Sequence, residues 1–162
     1  MGQMGVLWRF GVVCVVAGCC AIPRPALALG QIRYVEASGS PASFPIAAGS
    51  HTSAIYVDLR DYPGVARAAN DLRFDIARVT GHTPALVHAL QDGPANAILI
   101  GTIGKSESIN RLIASGKIDA RPIAETWESF LVQVVPQPWP GIAQALVIAG
   151  SDKRGAIYGI YD

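Results

Sequence analysis

From Phe44 onward the apolar positions of this chain fall into two rhythms, a step of three or four residues and a step of two. The longest run of the first kind is "RDYPGVARAANDLRFDIARVTGH", residues 60–82. Val65, Ala69, Leu72, Ile76 and Val79 recur at steps of four, three, four and three, which puts one apolar stripe on a helix of 3.6 residues per turn. Asp61 is suited to the N-cap, Pro63 to the first turn and Gly81 to the C-terminal stop. Arg67 and Asp71 stand four apart on the outer side, the spacing of a surface ion pair.

The second rhythm marks strands. "SFPIA" (43–47) is a short one, "SAIYVDL" (53–59) an alternating one and "PALV" (84–87) a weak one. "AILIGT" (97–102) is apolar throughout, as in a strand covered on both faces. "ESFLVQVV" (128–135) and "QALVIAG" (144–150) flank "PQPWPG" (136–141), a loop whose three prolines cannot join a central ladder. Between them "SESINRLIASGK" (106–117) reads as a second helix, with Ile109, Leu112 and Ile113 inward and Gly116 at its end. "SDKRGAIYGIYD" (151–162) opens a third, with Ile157, Ile160 and Tyr161 expected to face the core. Helices alternating with strands in this order predict an α+β (α/β sandwich) domain, a mixed sheet with helices packed on it. The third helix has under three turns before Asp162 and no stop signal. The reading therefore expects a domain incomplete at its C-terminus, the front end of a longer protein.

The first 28 residues follow a different pattern. Arg9 and the amino terminus give a positive start, Phe10 to Ile22 an apolar run, and Ala26-Leu27-Ala28 a small-residue cleavage site, together an export signal. "VAGC", Val16 to Cys19, also resembles a bacterial lipoprotein box, so anchoring through Cys19 is the other route, while the anatomy of the segment favours free export to the periplasm or outside the cell. Residues 29–43 read as a poorly ordered leader, and 44–162 as the domain. All three cysteines, Cys14, Cys19 and Cys20, lie in the signal, so the mature chain has no disulfide framework, cysteine nucleophile or thiolate metal site. Removal of residues 1–28 takes Arg9 and Arg24, leaving 11 basic against 12 acidic residues, a net charge of −1. The basic residues are scattered, without interleaved aromatics, which sets nucleic acid aside as a partner.

"GTIGKS" invites comparison with a phosphate-binding loop. That loop needs four residues between its first glycine and the Gly-Lys-Ser end. Counting back from Gly104 gives Leu99, and the available glycine, Gly101, is two residues too near. The stretch reads instead as a strand-to-helix turn with Ser106 as N-cap, and no nucleotide or other cofactor is expected. His51, in the turn "GSHTS", is a candidate ligand contact. His82 and His88 show no metal-ligand spacing with it or with each other. Trp8 leaves with the signal, and of Trp127 and Trp139 the latter, in the proline loop, is the candidate for an exposed ring that stacks on a sugar.

"ALVIAGSDKRGAIYGIYD", "ILIGTIGKSESINRLIASGKID", "WESFLVQVV" and "GSHTSAIYVDLRDYPGVARAANDLRFDIARVTG" together resemble the N-terminal domain of glycoside hydrolase family 115, the xylan α-1,2-glucuronidases. The resemblance covers about Phe44 to Asp162. It implies an exported inverting enzyme that removes glucuronic acid or its 4-O-methyl ether from glucuronoxylan. It implies a first domain similar to the one preceding the barrel in β-hexosaminidases, a catalytic (β/α)8 barrel downstream, and dimers formed through C-terminal parts. A barrel takes about 250 residues, so the catalytic carboxylates are expected outside this sequence. Asp58, Asp61, Glu125, Glu128, Asp71 and Asp75 are read as caps, surface pairs and solvated groups, with no catalytic role. "SDKRG" sits where the strand "QALVIA" ends and a helix opens, a usual ligand position in open α/β sheets, so Asp152, Lys153 and Arg154 are candidate substrate contacts, with Lys153 or Arg154 reaching the barrel mouth to hold the uronate, which an arginine fork suits. The alternative is that Asp152 caps the helix while Lys153 and Arg154 dock the domain on the barrel. The rival reading is a free-standing periplasmic carbohydrate-binding or structural module without hydrolase activity.

Overall fold

The computed structural model describes residues 35–40, 43–89 and 95–162. The export signal with its cysteines, Trp8 and cleavage site, and residues 29–34 of the leader, lie outside the described residues. The fold below is that of the compact unit Ala37–Asp162.

A two-stranded antiparallel ribbon, β1 (Ala47–Ala48) and β2 (His51–Thr52), leads into β3 (Ala54–Val57). Then follow α1 (Pro63–Thr80), β4 (Leu86–Val87), β5 (Asn96–Thr102), α2 (Glu107–Ala114), β6 (Phe130–Pro136), β7 (Gln144–Gly150) and α3 (Lys153–Tyr161). Strands β3 to β7 form one sheet in the order β4-β3-β5-β7-β6, parallel except for β6, which runs antiparallel to β7 along the edge. The class is α+β with a mixed sheet and three helices packed on it.

Strand alternation sorts the apolar residues into two cores. Ile55, Val57, Ile98, Ile100 and Ile148 point to one face, where Val65, Ala69 and Ile76 of α1 and Ala156 and Ile160 of α3 cover them. Tyr56, Leu99, Ala145, Val147 and Ala149 point to the other, under Ile109 and Leu112 of α2. Burial on both faces explains why "AILIGT" shows no polar alternation. Helix α1 starts on Pro63 and stops at Gly81, whose φ of 75° is the left-handed conformation open to glycine. Helix α3 lies close on the sheet because Gly150 of β7 and Gly159 of α3 leave no side chain in the seam between them. A Cβ on Gly150 would strike the backbone of Ala156, and one on Gly159 would stand 2.9 Å from Ile148 Cγ2 and 3.0 Å from the Phe130 ring.

Several expectations need correcting. Asp61 does not cap α1; Tyr62 holds that position with no side-chain cap, and the Asp61 carboxylate is directed elsewhere. Val79 is exposed, because the last turn of α1 runs past the stretch that meets the core. Tyr161 is exposed too: the buried line of α3 is Gly155, Ala156, Gly159 and Ile160, and Tyr161 stands beyond it, its hydroxyl donating to Asp71 Oδ2 at 3.0 Å. Asp71 is thus engaged by α3, and α1 carries an ion pair between Arg78 and Asp75. Pro136 belongs to β6, paired with Gln144, which an edge strand tolerates.

Gly150→Ala is expected to destabilise the fold by about 2–3 kcal/mol, since the obstacle is backbone. Gly64→Ala in the first turn of α1 meets Ile157 Cδ1 at 3.5 Å and Lys153 Cδ at 3.9 Å, both ordinary contacts, and is expected to stabilise by about 0.4–1 kcal/mol. Urea denaturation of the two variants beside the parent chain reads both signs.

Candidate functional site

Strands β3 and β5 are parallel neighbours whose connections leave to opposite faces, β3 into α1 and β5 into α2. Such a switch point opens a crevice at the carboxyl ends of the strands, the usual place for a ligand in an open α/β sheet. Here the chain fills it with its own carboxylates. Asp61 Oδ2 accepts the Thr102 N–H at 2.7 Å, and Asp61 Oδ1 accepts the Thr102 hydroxyl at 2.8 Å and the Tyr62 N–H at 2.7 Å. Asp58 Oδ2 accepts the Glu107 N–H at the start of α2 at 2.9 Å, and Asp58 Oδ1 accepts the Arg60 N–H at 2.9 Å. Asp58 and Asp61 are each only 7% exposed.

The turn "GTIGKS" is closed in the same way. The N–H groups of Thr102 and Glu107 go to the two aspartates, that of Ile103 to the Gly150 carbonyl, that of Gly104 to Asn110 Oδ1, and those of Lys105 and Ser106 to the Thr102 carbonyl. A phosphate cradle needs such N–H groups unpaired; all six are committed inside the chain. Ser106 caps α2 as its position implied, its Oγ accepting the Ile109 N–H at 3.4 Å. Gly101 permits this, since a Cβ there would overlap the Ser106 side chain. At the surface of the crevice Arg60 pairs with Asp58 and Glu107, and the Lys105 ammonium lies 5.4 Å from the centre of the Tyr62 ring.

The second cluster is at β7–α3, where "SDKRG" sits. Asp152 caps α3: Oδ1 accepts the N–H groups of Arg154 and Gly155, each at 2.8 Å, while Oδ2 accepts the Glu128 N–H at 2.9 Å. Glu128 has a left-handed φ of 56°, unusual for a residue with a side chain, and is held there from both ends. Its N–H goes to Asp152 and its carboxylate to Arg154 Nη1 at 2.8 Å. Arg154 also donates to Tyr158 Oη at 3.1 Å, so its fork is directed along the domain's own surface. Lys153 is exposed beside the first turn of α1, its Cδ near Gly64. The N–H bonds from Glu128, Gly155 and Arg154 hold the Asp152 carboxyl below its ordinary range, with the Arg154 charge adding to them.

The structure brings Asp152, Lys153 and Arg154 together and leaves His51 apart. His51 lies on β2, before the amino end of β3, whereas Asp152 follows the carboxyl end of the parallel strand β7. Its ring Nδ1 is 3.5 Å from Ser50 Oγ. His88 donates its Nδ1–H to the Val57 carbonyl at 2.9 Å, tying the end of β4 to β3. Trp139 is half-buried against the core under α2, and Trp127 is the exposed ring, at 82%. Among the described residues no group of three or more His, Cys, Asp or Glu is placed to hold a metal, and no helix is long and apolar enough to cross a membrane. Sequence reasoning missed the inward roles of Asp58 and Asp61; two aspartates closing an apolar strand just before a helix, "YVDLRD", are the signal that could have found them.

Removing the Asp61 carboxylate leaves the N–H and hydroxyl of Thr102 buried without partners, so Asp61→Ala is expected to cost about 2–4 kcal/mol in urea denaturation. Burial pushes the Asp58 carboxyl up, but the N–H groups of Arg60 and Glu107 and the Arg60 guanidinium outweigh it and hold it below its ordinary value. A carboxyl lowered by folding contributes stability above its unfolded pKa and loses it as pH falls through the folded one. The stability gap between the parent and Asp58→Asn is therefore expected to be full above about pH 5 and to shrink as pH falls below the ordinary aspartate range, as read by denaturation at several pH values.

No protein-family model matches the chain, and no curated protein matches it. Among solved structures, it is similar to a family GH115 4-O-methyl-α-glucuronidase described as having specificity for decorated arabinogalactans, at 28% identity and a TM-score of 0.51. The match covers 67% of this chain and 12% of that one, so this chain spans a small part of the length of the enzyme it resembles. The likeness is to one domain of a glycoside hydrolase.

Proposed function

We propose that this chain is the N-terminal, non-catalytic domain of an exported inverting α-glucuronidase, an enzyme that removes glucuronic acid or its 4-O-methyl ether from a polysaccharide such as glucuronoxylan. The observation that carries the reading is the likeness to the family GH115 glucuronidase over 67% of this chain and 12% of that one. The stretch "IAGSDKRGAIYGIYD" supports it from the sequence side. The internal engagement of the carboxylates supports the non-catalytic part. A glycosidase needs one carboxyl free to give a proton and a second free to activate water or attack, and Asp58, Asp61 and Asp152 accept three or four bonds each from their own fold. On this reading the barrel and its acid and base belong to the part of the enzyme outside these residues, and the domain's task is to pack on that barrel. Lys153, exposed beside α1, is then the side chain of "SDKRG" best placed to reach beyond the domain, toward the barrel or its acidic substrate.

The isolated chain is expected to release no glucuronic acid from glucuronoxylan or from decorated arabinogalactan. Joined to a family 115 barrel in place of that enzyme's own first domain, it is expected to restore soluble, active enzyme, and Lys153→Gln to lower kcat/KM on acidic substrate several-fold. Release of glucuronic acid by the chain alone would overturn the reading.

A further inference from the structure

At the opposite end of the sheet from the crevice lies a shallow depression between the C-terminus of α2 and the proline loop that joins β6 to β7. Its walls include Arg111, Lys117, Gln137, Pro138, Trp139 and Pro140. We propose that this depression is a binding site for an acidic saccharide, with the Trp139 ring under the pyranose and Arg111 and Lys117 on the carboxylate. The proposal rests on the glucuronidase reading for the class of sugar, and names a site which that reading does not use.

Three observations carry it. The first is charge. Arg111 and Lys117 are two cations on one rim, both exposed. Lys117 Nζ is turned over the depression by a 2.6 Å bond to the Gln137 carbonyl, while the Arg111 guanidinium has no acceptor among the described residues. Its planar fork is therefore available for the two oxygens of a carboxylate. The second is the ring. Trp139 is anchored on the core side by packing with the residues under α2 and lines the depression on the other. An indole so held offers an apolar face and loses little side-chain entropy when a sugar stacks on it.

The third is rigidity. Pro136, Pro138 and Pro140 fix three φ angles within five residues, and the loop is stapled by bonds from Gln137 N–H to the Ala143 carbonyl at 2.8 Å and from Ile142 N–H to the Trp139 carbonyl at 3.3 Å. Gln137 takes a left-handed φ of 44° and Gly141 one of 90°. A residue with a side chain persists in that region only where the surroundings over-determine it, and such positions cluster at ligand clamps. A neutral sugar would leave the Arg111 fork without an acceptor and the Lys117 charge uncompensated by an anion, and a phosphate would leave the ring unused; a uronate uses both.

The test is titration of the full chain with xylotriose carrying a 4-O-methylglucuronic acid branch, with unsubstituted xylotriose as comparison, followed by calorimetry and tryptophan fluorescence. The acidic sugar is expected to bind with Kd of about 1 mM, and the neutral one about tenfold more weakly or worse. Arg111→Gln and Lys117→Gln are each expected to weaken acidic-sugar binding about five- to tenfold. Trp139→Ala should abolish binding; because that ring also packs on the core, its thermal transition is read alongside, and the two surface variants decide if it unfolds. Trp127→Ala should change nothing. Equal affinity for both sugars, no binding of either, or no effect of Arg111→Gln and Lys117→Gln would overturn the site. Loss of binding on Lys153→Gln instead would overturn it while leaving the glucuronidase reading intact, and hydrolysis by the chain alone would remove that reading without touching the binding result.

Discussion

The carboxylates of Asp58 and Asp61 are the constraint around which the domain is arranged. An α/β sheet whose neighbouring connections diverge leaves backbone N–H groups and a buried threonine hydroxyl facing an open crevice. Those groups need acceptors, because a buried donor without one costs the full loss of its hydration. The β3–α1 loop supplies them from within, two acceptor bonds to Thr102 and one to the first N–H of α2. The same bonds fix the start of α1, the end of β5 and the start of α2 relative to one another, and so set how the two helical layers lie on the sheet.

That arrangement determines what the carboxyl edge can do. An internal anion at the mouth of α2 occupies the place that a phosphate or carboxylate ligand would take. Asp152 repeats the device at the mouth of α3, and Arg154 is turned to Glu128 and Tyr158. The edge that most α/β folds give to chemistry is here given to holding the fold. At the opposite edge a proline loop closed by its own hydrogen bonds sets Trp139 beside Arg111 and Lys117.

The helices and long strands were legible in the sequence because burial imposes periodicity: one stripe on α1, unbroken apolar runs where both faces are covered, turn residues between. Gly81, Ser106 and Asp152 were legible as stops and caps because their chemistry acts within a few residues. Legibility failed where the outcome depended on a neighbour distant in sequence. Asp61 looks like a helix cap locally, and only the approach of Thr102, 41 residues on, turns its carboxylate inward. Tyr161 looks like core by spacing, and only the closeness of α3 to the sheet at Gly150 and Gly159 moves the buried line off it. Pro136 looks like loop, and only the position of β6 at the sheet edge lets it belong to a strand.

The candidate site divides along the same line. By itself the sequence determined the α+β class, the order of elements, the short spacing that denies "GTIGKS" a phosphate cradle, and the grouping of Asp152, Lys153 and Arg154 on one turn. The tertiary structure alone decided that His51 stands at the other end of the sheet, that the crevice is filled, and that Arg111, Lys117 and Trp139, well separated along the chain, share one depression. The reason is physical: local propensity and periodicity act over a few residues, whereas which charges meet is set by strand order and register, and those follow from burying two faces of one sheet at once.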